Sequence, residues 1–493
     1  MSVTFDVQLR YPDRFYIGGE WVAPSSSKKI TVVDSSTELG FLEVAEAQAQ
    51  DMSRAIAAAR QAFDEGPWPR MSHAERAEYL RAFAAAWRRR AEDVGQAWPR
   101  ESGGLYVNNA AFVERAAKEF EYYAAQADTF AFEEVHTPTA GEFGLLVREP
   151  VGVVGAIIPW NGPIASLTHK LAPSLLCGCT VVLKSAPEAP IEGIIAGEIA
   201  QEIGLPPGVL NIITADREVS ELLVTDPRVD KITFTGSTAA GRRIASLCGE
   251  RMARSTMELG GKSAAIILDD ADIEQAAQTL AIAECGISGQ VCASLTRIVV
   301  PRRIQDQFVE ALAGTFSKVI VGDPYDPASQ MGPVASARQQ DRVRGYITKG
   351  VEEGARLITG GGRPAHLDRG YYIEPTIFAD VDNRSAIAQD EIFGPVLSVI
   401  PTDTEEEAIR IANDTIYGLN GAVFTQDVDR ARAVAAQIRT GTVAQNAFRI
   451  DFGIAFGGFK MSGIGREGGT ESLRLFTEMK TVILDGKPAR YRD

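Results

Sequence analysis

Residues 153–158 read Val-Val-Gly-Ala-Ile-Ile, and three more short apolar runs follow at 180–183, 209–213 and 231–234. Helix-length segments separate them, and Pro190, Pro206-Pro207-Gly208 and Gly236 mark the boundaries. Strands alternating with helices predict parallel βαβ units in an open, doubly wound α/β sheet. Right-handed crossovers then place ligands at the carboxyl ends of the strands. A second alternating set covers 264–268, 297–300, a helix near 304–319, and strands near Phe378 and at 396–400. It predicts a second α/β lobe, with a ligand cleft between the two.

Upstream, the chain opens as a loose arm with short strands, turning at Gly18-Gly19. Met52, Ile56, Ala59 and Phe63 share a helical face that ends at Gly66. Ser72 and Glu75 form a capping-box pair ahead of the stripe Leu80, Phe83, Trp87. No tandem repeat or low-complexity block interrupts the chain.

The 493 residues carry 45% hydrophobic and 23% charged side chains, values of a globular protein with a large core. A net charge of −15 argues against a nucleic-acid partner, which needs a basic face, and against docking on an anionic membrane. The first ten residues contain Asp6 and no apolar run, so no secretory signal is expected. The apolar stretch between Lys170 and Lys184 is shorter than the ~20 residues a membrane helix needs. The five cysteines fit no disulfide scaffold and point to a reducing, cytoplasmic setting. Cys177 and Cys179 read as buried packing residues, as does Cys285. The four histidines lack metal-ligand spacing, and no metal is expected.

Several stretches carry chemistry. Phe234 to Gly241 ends a strand and opens a helix whose free N–H groups, with Ser237 or Thr238 as cap, suit a pyrophosphate. It is neither Gly-x-Gly-x-x-Gly nor a P-loop, and a plain capped turn reads equally well. Pro159-Trp160-Asn161-Gly162-Pro163 follows a buried strand, and the Asn161 amide suits a developing oxyanion or a simple turn. Glu258, between Met257 and Leu259-Gly260-Gly261, is a general base if buried and an ordinary carboxylate if solvated. Gly289-Gln290-Val291-Cys292 predicts a helix start, where a thiol pKa falls. His169, eight residues after Asn161, leaves open a Cys–His hydrolase, although the Gly-rich turn and Glu258 would then have no role.

Taken together and in order, the motifs resemble the aldehyde dehydrogenase superfamily. They are Pro159-Trp160-Asn161; Lys184 with Glu188; Phe234-Thr235-Gly236-Ser237; Glu258-Leu259-Gly260-Gly261-Lys262; Gly289-Gln290-Val291-Cys292; Glu391-Ile392-Phe393-Gly394-Pro395; Phe456 through Gly463; and Arg466-Glu467. The resemblance runs from about Tyr16 to Ile483. It implies a Rossmann-like nicotinamide-cofactor domain (1–131 and 150–260), a catalytic domain (261–465) and a small β oligomerisation flap (132–149 and 478–493). It implies a homotetramer or homodimer. Cys292 would be the nucleophile, Asn161 the oxyanion donor with the Cys292 N–H, Glu258 the base for deacylation, and Lys170 a proton-relay partner of Glu258. NAD, with NADP possible, would be held by Ile157, Pro159, Trp160, Lys184, Glu188, Gly236, Ser237, Leu259, Glu391 and Phe393.

Departures from the family pattern bear on specificity. NAD-preferring members often carry Glu three residues after the Lys184 position; here that residue is Pro187 and Glu188 comes next, which leaves NAD against NADP open. Gly162, His169 and Ala455 stand where an aromatic, a Trp and a Pro are usual, and predict a roomier or more polar aldehyde tunnel. Arg449 reads as a carboxylate partner in that tunnel or as a surface cation. The resemblance implies oxidation of an aldehyde to a free carboxylate. Two alternatives are a CoA-acylating semialdehyde dehydrogenase, a type that usually lacks the Glu258 base, and a catalytically silent structural protein on this fold.

Overall fold

A computed structural model describes residues 7–491; residues 1–6 and 492–493, the outer ends of the expected arm and flap, lie outside the described residues. The first sheet is built on five parallel strands in the order Arg254–Glu258, Lys231–Thr235, Val153–Ile157, Thr180–Ser185, Leu210–Thr214. Val153–Ile157 and Thr180–Ser185 are buried along their whole length, as strands covered by helices on both faces must be. The chain starts in the middle with Val153–Ile157, winds outward to Leu210–Thr214, then returns to the other side with Lys231–Thr235. The order reverses between Val153–Ile157 and Lys231–Thr235, and there a crevice opens at the carboxyl ends.

Both edges are antiparallel. The hairpin Phe15–Ile17 and Glu20–Val22 turns through Gly18 and Gly19, whose φ values of 64° and 87° favour glycine. It closes one edge against Ile212. Gly463–Ile464, from the segment expected in the second lobe, returns to pair with Met257 and Glu258.

The second sheet runs Arg356–Thr359, Thr376–Ala379, Val396–Thr402, Arg297–Pro301, Ala264–Ile267, Gly421–Phe424, Ala444–Gln445, parallel except at the first strand. A separate antiparallel sheet joins Glu133–His136, Phe143–Pro150 and Thr477–Leu484. The expected α/β class holds, with two doubly wound sheets and this small third one.

The helices follow the residue patterns. Ala49–Asp64 buries Met52, Ile56 and Ala59, with Phe63 half-buried at its edge. His73–Arg89 starts on the reciprocal Ser72–Glu75 capping box and buries Leu80, Phe83 and Trp87. Cys177 and Cys179 are buried, free, and hydrogen-bonded to the carbonyls of Leu473 and Phe476. Among the described residues no helix is long and apolar enough to cross a membrane, and no cluster of His, Cys, Asp or Glu could hold a metal ion.

Candidate active site

The carboxyl ends of the first sheet face the amino ends of the second. A five-residue span makes the crossing: Glu258 ends one strand, Leu259 to Ser263 turn, and Ala264 starts the next. The turn needs bare glycine. A Cβ on Gly260 would strike the Glu391 carboxylate, and one on Gly261 the Cys292 carbonyl. The Gly261 N–H donates to Glu391 Oε1 at 3.2 Å, so the segments carrying residues 258, 292 and 391 are locked together. They surround an open cleft of about 390 Å³, lined by Pro159, Trp160, Asn161, Gly236, Ser237, Glu258, Leu259, Cys292, Glu391 and Phe393, among others.

No helix begins at Cys292. Residues 286–289 form a tight turn in which Ile287, Ser288 and Gly289 all take positive φ, and Cys292 follows in a loop that leads into Arg297–Pro301. The expectation of a helix terminus lowering the thiol pKa is therefore corrected. Of the two glycines ahead of Cys292, Gly286 ends the preceding helix and Gly289, at φ 71°, closes a left-handed turn, which is glycine's other common use. Burial first, then the Glu391 and Glu258 carboxylates, push the Cys292 thiol up to about 12. The backbone N–H groups of Ala293 and Cys292 itself pull the other way.

Glu258 is 3% exposed, and neither carboxylate oxygen has a hydrogen-bond partner among the described residues. Burial raises its pKa well above the ordinary value, and Glu467 adds to the rise. Lys170 and Arg466 oppose it. Lys170 is fully buried and donates to Glu467 Oε1 at 2.5 Å and to Thr235 Oγ1 at 2.7 Å. Glu467 in turn exchanges backbone hydrogen bonds with Phe456. The Gly457 that follows has φ 151°, and a Cβ there would lie 2.6 Å from Glu258 Oε1.

Asn161 Nδ2 donates to the Gln290 carbonyl at 2.9 Å, which leaves its second N–H for a ligand. The Gln290 side chain, fully buried, donates to the carbonyls of Ser102 and Ile287 and accepts from Ala335 N–H. Ser102 Oγ donates to the Trp160 carbonyl at 2.5 Å, and Trp98 Nε1 to that of Asn161 at 3.3 Å. Trp160 packs edge-on to Phe393 with ring centroids 5.5 Å apart.

A second cleft, of about 460 Å³, adjoins the first and is lined by Ile157, Lys184, Pro187 and Glu188 with Asp216, Arg217 and Arg243. Lys184 is 8% exposed, and burial pushes its pKa down to about 8 against the pull of Glu188 and Asp216. All ten residues read from the sequence as cofactor contacts line one cleft or the other. Ser237 caps the helix Thr238–Glu250 by accepting from Ala240 N–H. Burial raises Glu391 to about 7, opposed by the Gly261 N–H, Arg342 and Lys262.

His169 turns elsewhere. Its Nδ1 lies 2.7 Å from Glu119 Oε1, and its ring stacks on Phe452 at 3.6 Å. The Cys–His pairing is not made. Arg449 is exposed. Several residues in the cleft walls or behind them escaped the sequence reading. Thr235 and Glu467 stood inside quoted motifs without an assigned role. Arg338, Gln339 and Arg342 come from the start of the helix Ala337–Glu352, which has no motif.

Comparison with known proteins accounts for this geometry. The sequence model described as the aldehyde dehydrogenase family matches residues 21–482. The chain belongs to that family. A geranial dehydrogenase from Castellaniella defragrans is 44% identical over 96% of this chain and 98% of its own length. A mitochondrial benzaldehyde dehydrogenase from Antirrhinum majus is 39% identical over 97% and 89%. The aldehyde dehydrogenase of Mycobacterium tuberculosis, solved with NAD+, superposes with a TM-score of 0.94 at 44% identity, covering 98% of this chain and 99% of that one. Aldehyde dehydrogenase C of Pseudomonas syringae, a mutant solved with NAD+ and octanal, gives 0.94 at 37% identity, with 98% and 99% covered.

Proposed function

We propose that this NAD-dependent aldehyde dehydrogenase converts its substrate to the free carboxylate through a thioester on Cys292. The observation that carries the reading is one cleft that holds the Cys292 thiol, the Asn161 amide and a buried Glu258 with two unpartnered oxygens. The two joined clefts, a capped helix N-terminus and a strand-order reversal fit a dinucleotide. Lys184 and Glu188 would hold the adenosine side, Ser237 the phosphates, and Glu391 the second ribose. The bound cofactor supplies the acceptor for the two electrons that separate aldehyde from acid.

The Cys292 sulfur adds to the carbonyl carbon as its thiol proton passes to the Glu258 carboxylate or to water. The spare Asn161 N–H and the Cys292 N–H hold the oxygen that becomes negative. Once a thioester stands on Cys292, Glu258 takes a proton from water as it attacks the acyl carbon, and the Cys292 sulfur leaves. Lys170, fixed by Glu467 and Thr235, places a positive charge near Glu258 and steadies its ionised form. A CoA-acylating enzyme would have no use for that buried base.

The substrate we favour is apolar or aromatic. Beside Cys292 lie Val291, Phe448, Ile450, Phe452 and Phe456, and a Cβ on Gly162 would meet nothing within 4 Å. Relatives named for geranial and benzaldehyde agree with that wall. A panel of about 30 aldehydes, with NAD or NADP and with or without CoA, tests the reading. The expected product is the free acid; a CoA requirement, or silence with every aldehyde, would overturn it.

We also propose the division into cofactor domain (1–131, 150–260), catalytic domain (261–465) and flap (132–149, 478–493). The exposed Met479 and Ile483 on one face of the flap sheet support assembly as a homotetramer or homodimer. Free cysteines support a cytoplasmic location.

A further inference from the structure

Among the described residues, Arg338 alone lines both clefts. It stands in the first turn of Ala337–Glu352, in the second lobe, yet its Nη2 reaches 2.8 Å from Glu188 Oε1 in the first. The ion pair therefore spans the groove at the seam between the clefts. The Arg338 side chain is 81% exposed and that of Glu188 27%. An exposed pair of this kind adds little net stability, so changing its partner costs little.

Two of the neighbouring charges are otherwise engaged. Arg243 is held by Glu221 at 2.9 Å, and Asp216 caps the helix Arg217–Thr225 through Val219 N–H. Lys184 is buried between Glu188 and Asp216. The helix start at Ser237 draws an anion into the first cleft, beside the Arg338 seam. A guanidinium presents a planar fork that matches phosphate oxygens as well as it matches a carboxylate, so a phosphate in the groove can take the place of a weakly held Glu188.

We propose that Arg338 grips the dinucleotide, leaving Glu188 for a phosphate oxygen and freeing the Glu188 carboxylate to accept from ribose hydroxyls. The proposal rests on the groove's assignment to NAD above, and adds to it a cation from the opposite lobe. No covalent step is involved.

Isothermal titration of the intact protein with NAD and with ADP-ribose tests it. Arg338→Gln should weaken both by the same factor, about tenfold or more, the scale of one charge-assisted hydrogen bond. Its Kd should also depend less steeply on salt than the wild type's, because one phosphate contact is gone. Arg338→Lys should recover most of the affinity, and the KM for aldehyde at saturating NAD should stay unchanged in both variants. Binding of both ligands within twofold of wild type by Arg338→Gln overturns the proposal. So does a loss confined to NAD, or a loss with unaltered salt dependence. Wild-type protein that takes up neither ligand would instead overturn the groove's assignment, and this inference with it.

Discussion

Burial and two carboxylates keep the Cys292 proton in place up to about pH 12, so the sulfur ionises only as it attacks or when a neighbour takes the proton. At pH 7 such a thiol is only about 10⁻⁵ thiolate, against ~3% for an unperturbed one. Inactivation of the ligand-free protein by iodoacetamide should therefore rise about tenfold per pH unit between 7 and 10, with no plateau near 8.5. A plateau there would show an exposed, ordinary thiol. Glu258 behaves in the opposite sense for its role. Its raised pKa keeps it protonated, and useless as a base, to higher pH than usual. Deacylation should climb with pH as Glu258 ionises and fall as it takes up its proton. Glu258→Gln should keep the first-turnover burst of reduced cofactor, lose most steady-state rate, and flatten that climb. Full turnover in the variant would refute the base role. These side chains could be singled out because their motifs occur together in a set order; each run alone has an ordinary structural reading. Their surroundings could not be read that way. The carboxylate of Glu391 faces Cys292 across about 100 residues of sequence, and no local pattern announces that approach.

Between the secondary-structure elements, Gln290 is the joint. One buried amide satisfies Ser102, Ile287 and Ala335, while its own carbonyl holds Asn161. Gln290→Leu would strand the Ser102 carbonyl and the Ala335 N–H, each costing about 1–3 kcal/mol where no water replaces the partner, while the Ile287 carbonyl keeps the backbone N–H of residue 290. The expected result is a lower Tm together with a lower kcat, read by thermal melting and steady-state assay. An unchanged kcat in a folded variant would mean that Asn161 is placed by other contacts. The parallel strands could be read from their apolar runs and the turns between them. The two-residue strand Gly463–Ile464 could not, because its pairing is set by the strand it joins and not by its own composition. The glycines ahead of Cys292 misled for a related reason: glycine serves helix ends and left-handed turns alike, and only tertiary packing chooses.

For the molecule as a whole, assembly is the property least visible in the sequence. Thr477–Leu484 pairs with Phe143–Pro150 across more than 300 residues, and leaves Met479 and Ile483 70% and 56% exposed. Met479→Glu should lower the mass measured by light scattering at equal concentration; an unchanged mass would put the subunit contact elsewhere. The two-sheet plan was legible because alternation of strand and helix repeats twice along the chain. How the sheets face each other was not, since that depends on the short span from Glu258 to Ala264. That span also ties the base to the neighbouring sheet with almost no slack. A hinge that pried the sheets apart would carry the carboxylate off its strand end, so the base keeps its place beside Cys292 only while the two sheets hold their spacing.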